Sequence, residues 1–384
     1  MQIQSNYKFK KIFDQKNLKG KKILLRLDLN VPIVGDSVRD DFRIKRSLPT
    51  LNLLRERGAK TIIISHIDNQ LTDSLSQVSA YISKLIPIKK FVEKFDDAST
   101  EVSTMRDGDI IILENLRENP GEKSNDPVFA GRLSALADYY VNDAFAVSHR
   151  EHASIVSVPK LIPSFAGPLL ADEVEKLSMA FNPSHPFLFI LGGAKFDTKL
   201  PLIEKFLGIA DNVFVCGALA NDIYRERGYE VGLSTVAKAR INLKQIEMNP
   251  KLLVPEDVIV SSTLERIVKN PGHVGPNEKI MDAGPRSIDQ IKGLLKNTKF
   301  VLWNGPLGEY ENGFAEGTEN LARVIADNSV SSDIRSVVGG GDTVAIVARL
   351  GILDKFTFAS TGGGAMIEFL AQGTLPGIEA LDQV

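Results

Sequence analysis

The run Val337-Val338-Gly339-Gly340-Gly341-Asp342-Thr343 constrains the fold more than any other stretch. A β-branched pair gives way to three glycines, then to an acid, a hydroxyl and the apolar run Val344-Ala345-Ile346-Val347. That order reads as a strand, a tight turn and the start of a helix. Glycines lack a Cβ, so backbone N–H groups in the turn can come close to a ligand. The helix start adds free N–H donors and a partial positive charge, and the combination binds phosphate. Asp342 is placed either to hold a metal that rides on that phosphate or to cap the helix. Taken alone, the run also fits an ordinary glycine-rich connection with Asp342 as its N-cap. Two further turns weigh against that: Gly192-Gly193-Ala194-Lys195 after the apolar run 187–191, and Thr361-Gly362-Gly363-Gly364 after Phe356-Thr357-Phe358-Ala359. Three such turns in one half of a chain point to several loops meeting at one anion. Strand C-terminal ends are where open α/β sheets bind ligands.

The 384 residues exceed one typical domain and predict two. A hydrophobic content of 43% with 24% charged residues is that of a soluble globular protein, and the net charge of −2 gives no global attraction to nucleic acid or membrane. The first twenty residues are polar and lysine-rich, and no apolar run reaches the ~18 residues of a membrane span. A cytoplasmic protein with neither nucleic-acid nor membrane partners is therefore expected. The single cysteine, Cys216, excludes an intramolecular disulfide. Within Val213-Phe214-Val215-Cys216 it reads as a buried small hydrophobe rather than a nucleophile.

Apolar runs over 22–27, 61–64, 109–113 and 139–141 alternate with helical patterns. After the proline-rich stretch 159–168, further strands are expected at 187–191, 212–216, 258–260 and 300–303. Such alternation predicts parallel sheets. A one-faced helical pattern over 169–181 is the candidate link between domains. Pro49 predicts that the helix opening at Asp41 starts late or bends, and Pro201 is expected only in the first turn of a helix over 200–207.

The two halves carry different chemistry. The first places Arg26, Arg43, His66, Arg117, His149 and Arg150 at strand ends, beside Asp28 and Asn30. Guanidinium forks bind carboxylate and phosphate oxygens, so a small, strongly anionic substrate suits this half. Any single arginine equally fits an ion-paired surface. His149 and His152 lack a third metal ligand. The second half, with its glycine turns, Lys195, Lys199, Asp342 and Thr343, suits a nucleoside triphosphate and magnesium. It has neither the Walker pattern nor the protein-kinase motifs. An anionic acceptor in one half and a nucleotide in the other imply phosphoryl transfer.

In this order the motifs resemble the phosphoglycerate kinase family along the whole chain. They are Arg26-Leu27-Asp28-Leu29-Asn30-Val31-Pro32, Asp41-Phe42-Arg43-Ile44, Ser65-His66, Glu114-Asn115-Leu116-Arg117, Val141-Asn142-Asp143-Ala144-Phe145 and His149-Arg150-Glu151-His152. The second half adds Leu191-Gly192-Gly193-Ala194-Lys195, Trp303-Asn304-Gly305-Pro306, the two later glycine turns and Leu375-Pro376-Gly377. The resemblance implies an α/β protein of two doubly wound, Rossmann-like domains that bend about a hinge. Residues 1–165 would bind phosphoglycerate, 166–183 form the interdomain helix, 184–366 bind nucleotide, and 367–384 return to the first domain. It implies a monomeric, magnesium-dependent enzyme that transfers phosphoryl reversibly between ATP and the carboxylate of 3-phosphoglycerate, in line across a closing cleft. Asp28, Asn30, Arg43, His66, Arg117 and Arg150 would hold phosphoglycerate. Gly193, Ala194, Lys195, Lys199, Gly217, Asn304, Pro306, Glu311, Gly340, Gly341, Asp342 and Thr343 would hold the nucleotide, with Glu311 at the ribose and Asp342 on magnesium. Arg43, Lys199 and the amides of Gly340 and Gly363 would neutralise the phosphoryl group in flight.

The chain departs from the family's pattern in places. After Ser65-His66 the family usually continues Leu-Gly-Arg-Pro; here it is Ile67-Asp68-Asn69-Gln70. Losing that arginine removes about 1.5–3 kcal/mol of anion binding, so a raised KM for phosphoglycerate is expected. Cys216 replaces a glycine and is expected to crowd the base, and the polar Asn221-Asp222 leaves nucleotide preference open. The altered loop also admits a non-catalytic descendant of the fold. A dinucleotide-dependent dehydrogenase would need a different glycine pattern early in the chain.

Overall fold

The computed structural model describes residues 7–35, 37–68, 73–194, 196–237, 243–262, 265–332 and 334–382. The chain divides into two units. One runs to Glu175 and resumes at Gln372; the other is Lys176–Ala371. The first division falls inside the helix Pro168–Ser178.

The first unit holds β1 (Lys22–Arg26), the hairpin β2 (Ile33–Val34) and β3 (Ser37–Val38), then β4 (Lys60–Ile64), β5 (Lys90–Val92), β6 (Ile110–Leu113), β7 (Tyr139–Asn142) and β8 (Ser164–Ala166). Six of these form a parallel sheet in the order β5-β6-β4-β1-β7-β8. Ile62-Ile63-Ile64 and Ile110-Ile111-Ile112 are buried throughout, as a parallel sheet covered on both faces requires. The chain winds one way from β1 through β4 to β6 and the other way through β7 to β8, so β1 borders the topological switch point. Register sets Arg26 level with Ile64 and Asn142. Asp28, His66 and Asp143 therefore emerge from one edge of the sheet.

The helix Phe42–Glu56 begins directly after Asp41 and runs through Pro49, so the late start expected from that proline is not seen. The proline removes only the N–H that would reach the Lys45 carbonyl. At the chain's end, the short helix Pro376–Glu379 follows Leu375. Gly377 N–H donates to Ser148 O at 2.8 Å, and Ala380 completes a cluster with Ala144, Val147, Ile155 and Val156.

The second unit holds β9 (Phe187–Leu191), β10 (Asn212–Val215), β11 (Leu252–Leu253), β12 (Val258–Ser262), β13 (Glu265–Lys269), β14 (Lys279–Ala283), β15 (Phe300–Asn304), β16 (Arg335–Gly339) and β17 (Phe358–Ala359). Its parallel sheet has the order β11-β10-β9-β15-β16-β17, with the switch between β9 and β15, where Leu191 lies opposite Asn304. β13, β12 and β14 form a separate antiparallel sheet. The helix Phe196–Leu207 carries Pro201 at its sixth position, past the first turn where it was expected. That helix starts four residues earlier than the apolar pattern indicated, directly beyond the glycine turn. Among the described residues no helix is long and apolar enough to cross a membrane.

Candidate active site

In the first unit, cations gather beyond β1, β4, β6 and β7. Arg43 Nη1 lies 2.9 Å from Asp28 Oδ2 and donates to the Asn30 carbonyl at 2.9 Å. Asn30 Oδ1 accepts from the Asp68 N–H at 3.1 Å. Arg117 pairs with Asp68. His66 is buried, with Nδ1 3.4 Å from Arg26 Nη2. Burial first, then Arg26, Arg117 and Arg43, holds its pKa well below the usual imidazole value. It is therefore a neutral hydrogen-bonding group near pH 7. His149 is pushed down to about 4 by burial, then by Arg150 and His152. Its Nδ1 is buried without a hydrogen-bond partner. Arg150 is exposed. Through Asp28, Asn30 and Asp68 these contacts run from Arg43 to Arg117 in one constellation, and, after burial, the charges of Arg43, Arg117 and Arg150 lower the pKa of the histidines and of Arg117 beside it. Asn69 lies outside the described residues.

Arg26 belongs elsewhere. It is wholly buried, donating from Nε to Ser154 Oγ at 3.0 Å and from Nη1 to Leu27 O at 2.6 Å. Its Nη2 lies 4.0 Å from Glu122 Oε1, which is also buried. A buried arginine needs this enclosure of acceptors, so Arg26 braces β1 rather than offering a free fork to a ligand.

In the second unit a cleft of about 340 Å³ opens at the ends of β9, β10, β14 and β15. Gly193, Ala194, Gly217, Pro306, Glu311 and Asp342 line it. Gly193 N–H donates to Pro306 O at 3.0 Å, and a Cβ on Gly305 would stand 2.4 Å from Gly192 O. The two switch-point loops thus lie backbone against backbone. At Gly341 and Gly363 an added Cβ would meet nothing within 4 Å, so both backbones are open to an approaching group. Asn304 is buried beneath the turns, with Nδ2 3.4 Å from Met366 Sδ; it supports the cradle rather than lining it. Lys199 is half-buried and Nζ donates to Gly192 O at 2.6 Å. Thr343 Oγ1 is buried with no hydrogen-bond partner, and Gly340, at φ 94°, turns the chain into the helix Gly341–Arg349. Lys195 lies outside the described residues.

Cys216 does not crowd the cleft. Its side chain packs into the core with Leu188, Ile190 and Phe214, and burial pushes its thiol pKa up. Asn221 does line the cleft, and its Oδ1 is buried without a hydrogen-bond partner, an acceptor available there. Asp222 turns away to accept from Ala237 N–H and Arg225. Sequence reasoning missed Asp282. It lines the cleft, and its buried carboxylate accepts from Gly317 N–H at 2.8 Å and Ala283 N–H at 2.8 Å. Only its place in β14 reveals it, since no motif frames it.

Among the described residues no group of three or more potential ligands could hold a metal ion. Asp342 is an exposed carboxylate at a helix N-terminus beside the cradle. One carboxylate next to bound phosphates is the donor set that suits Mg2+, which keeps water and phosphate oxygens for most of its shell.

Comparison with known proteins agrees with this geometry. A family model described as phosphoglycerate kinase matches residues 13–373. The phosphoglycerate kinase of Orientia tsutsugamushi (strain Ikeda) is 40% identical over 387 residues, covering 95% of each chain. That of Dictyoglomus turgidum is 38% identical over 384 residues, covering 95% of this chain and 96% of its own. The phosphoglycerate kinase structure from Coxiella burnetii superposes with a TM-score of 0.83 at 34% identity, over 98% of this chain and 99% of that one. The structure from Pyrococcus horikoshii gives 0.85 at 30% identity, over 97% and 98%.

Proposed function

The chain belongs to the phosphoglycerate kinase family, a transferase of glycolysis that moves phosphoryl between ATP and 3-phosphoglycerate, and from that premise we propose how its residues divide the work. The first unit binds phosphoglycerate through Arg43, Arg117 and Arg150, with Asp28, Asn30 and neutral His66 orienting it. The second unit binds ATP. Its triphosphate lies along the amides of Gly340, Gly341 and Gly363, with Gly193 lining the cleft beside it and Lys195, Lys199 and Thr343 as further partners. Ala194, Gly217 and Pro306 wall the nucleotide cleft, Glu311 takes the ribose, and Asn304 holds the turns in place. Asp342 would hold Mg2+, which when bound neutralises phosphate charge.

The acceptor is a carboxylate, already ionised at neutral pH, so no general base is required. This suits a site whose histidines are held neutral by burial. Catalysis then rests on positioning and on neutralising the transferring group, to which Arg43 and Lys199 each bring a positive charge. We read the transfer as direct and in line on closure of the two domains, by a monomer in the cytoplasm. The observation that carries this division is the contrast between the units: an arginine constellation in one, and glycine turns beside the exposed carboxylate of Asp342 in the other.

A coupled assay with phosphoglycerate, ATP and magnesium, run with and without Arg43→Ala, tests it. The variant is expected to lose about 10³-fold or more in kcat while its circular dichroism stays unchanged. An unmutated chain that binds ATP without turnover would favour a non-catalytic descendant.

A further inference from the structure

Arg117 takes part in an ion pair that bears directly on its work. Asn30 Oδ1 holds the Asp68 N–H at 3.1 Å. Asn115 Oδ1 accepts from Ile67 N–H at 3.3 Å, and its Nδ2 donates to Ile67 O at 2.9 Å. The backbone at 67–68 is thereby pinned from both sides. The Asp68 carboxylate is delivered to Arg117 Nη1 at 2.5 Å. Arg117 is only 15% exposed and Asp68 is 66% exposed, so the carboxylate lies on the solvent side of the guanidinium. Arg117 Nε, on the inner side, is buried with no hydrogen-bond partner. The face of Arg117 that a ligand would approach thus already carries an anion supplied by the chain itself.

We infer that Asp68 is an internal competitor for Arg117, which the anionic substrate must displace, and that it sets both the affinity for that substrate and the charge the substrate needs. A tethered carboxylate loses no translational freedom in reaching its partner, whereas a ligand does. A singly charged carboxylate therefore gains little by exchange. A phosphate monoester, carrying nearly two charges, gains more and takes the site. Naming that anion as 3-phosphoglycerate rests on the kinase reading; the competition at Arg117 rests on the contacts alone.

The test is calorimetric titration of 3-phosphoglycerate, and separately of inorganic phosphate, into the unmutated chain, Asp68→Asn and Asp68→Glu, alongside steady-state KM and kcat. Removing the charge is expected to tighten phosphoglycerate binding about three- to fivefold, the scale of an exposed ion pair, with KM falling in step. Asp68→Glu keeps the charge and should stay at the unmutated value. Added salt screens an exposed pair, so the gap between Asp68→Asn and the unmutated chain should close as ionic strength rises. A carboxylate that merely orients Arg117 would give the opposite sign: weaker binding in Asp68→Asn. Weaker or unchanged binding of both probes overturns the inference, whether or not the chain turns over. Tighter binding in Asp68→Asn without turnover upholds it and instead removes the kinase reading.

Discussion

At the scale of single residues, burial is the force that most often overrides ordinary behaviour. Asp282 shows it beside the nucleotide cleft. Burial raises its pKa from 3.8 to about 7, against the two backbone N–H groups that favour the ionised form. Below the unfolded value both states hold the proton, and the group contributes no pH dependence. As pH rises towards about 7 the unfolded chain loses the proton while the folded chain keeps it. Stability therefore falls across that window, by a total on the order of 4 kcal/mol. Asp282→Asn should abolish this part of the slope. Trp303, the single tryptophan, is buried in the same core and reports the second unit's melting by fluorescence. The unmutated chain is expected to lose more melting temperature than the variant between pH 5 and pH 8, and equal losses would refute the assignment. Residues of this kind are hard to read from sequence. Asp282 is framed by no motif, and Arg117 meets a partner 49 positions away. The arginines and histidines at strand ends were legible because an ionisable group following an apolar run is conspicuous. Arg26 was conspicuous for the same reason and misleading, since nothing local reveals the buried Glu122 beside it.

At the scale of elements, legibility followed length. Long apolar strands such as β1, β4 and β9 announce themselves, while β5, β8 and β11 span two or three residues and leave no pattern to count. β13, Glu265-Arg266-Ile267-Val268-Lys269, and β14, Lys279-Ile280-Met281-Asp282-Ala283, mix charged and apolar residues without a period of two, so neither gives a strand pattern to count. Pro49 and Pro201 both stand inside helices because a proline removes one hydrogen bond, a loss that packing of the helix face can outweigh. The glycine turns were legible because their role is one of exclusion. Gly305 has a φ of 93°, and a Cβ there would press into Gly192 O at 2.4 Å and Gly192 C at 2.5 Å. Gly305→Ala should force the loops after β9 and β15 apart and strain its own backbone by about 1–3 kcal/mol. Weaker ATP binding, by about tenfold, is expected together with a lower Trp303-reported melting temperature. Phosphoglycerate binding, which belongs to the other unit, should not change. Calorimetry with each substrate separately checks both halves of that statement, and a variant that binds ATP normally would show that the loop contact is not needed.

At the scale of the whole molecule, the chain's order and its folded units do not coincide. Residues from Gln372 on belong with the first unit, although the 196 residues of the second, Lys176–Ala371, precede them. Leu375, Ile378, Ala380 and Leu381 are almost fully buried, and Ala380 packs in one cluster with Ala144, Val147, Ile155 and Val156. Fit as well as area holds them there. Gly377 N–H donates to Ser148 O, and a Cβ on Gly377 would stand 2.8 Å from Ile155 Cγ2. Ser148 immediately precedes His149 and Arg150, so the tail braces the backbone that presents two groups of the anion constellation without itself supplying any. Truncation after Gly373 should therefore act on one unit only. It exposes four apolar side chains on the tail's partner surface and removes four more, a loss of several kcal/mol at about 25 cal/mol per Å². The first unit should melt earlier by circular dichroism while the Trp303 transition stays in place, splitting one transition into two. Phosphoglycerate should bind more weakly and ATP as before. If the Trp303 transition moves together with the rest, the tail's contribution is not confined to the unit it packs in, and the second unit depends on the first for its stability.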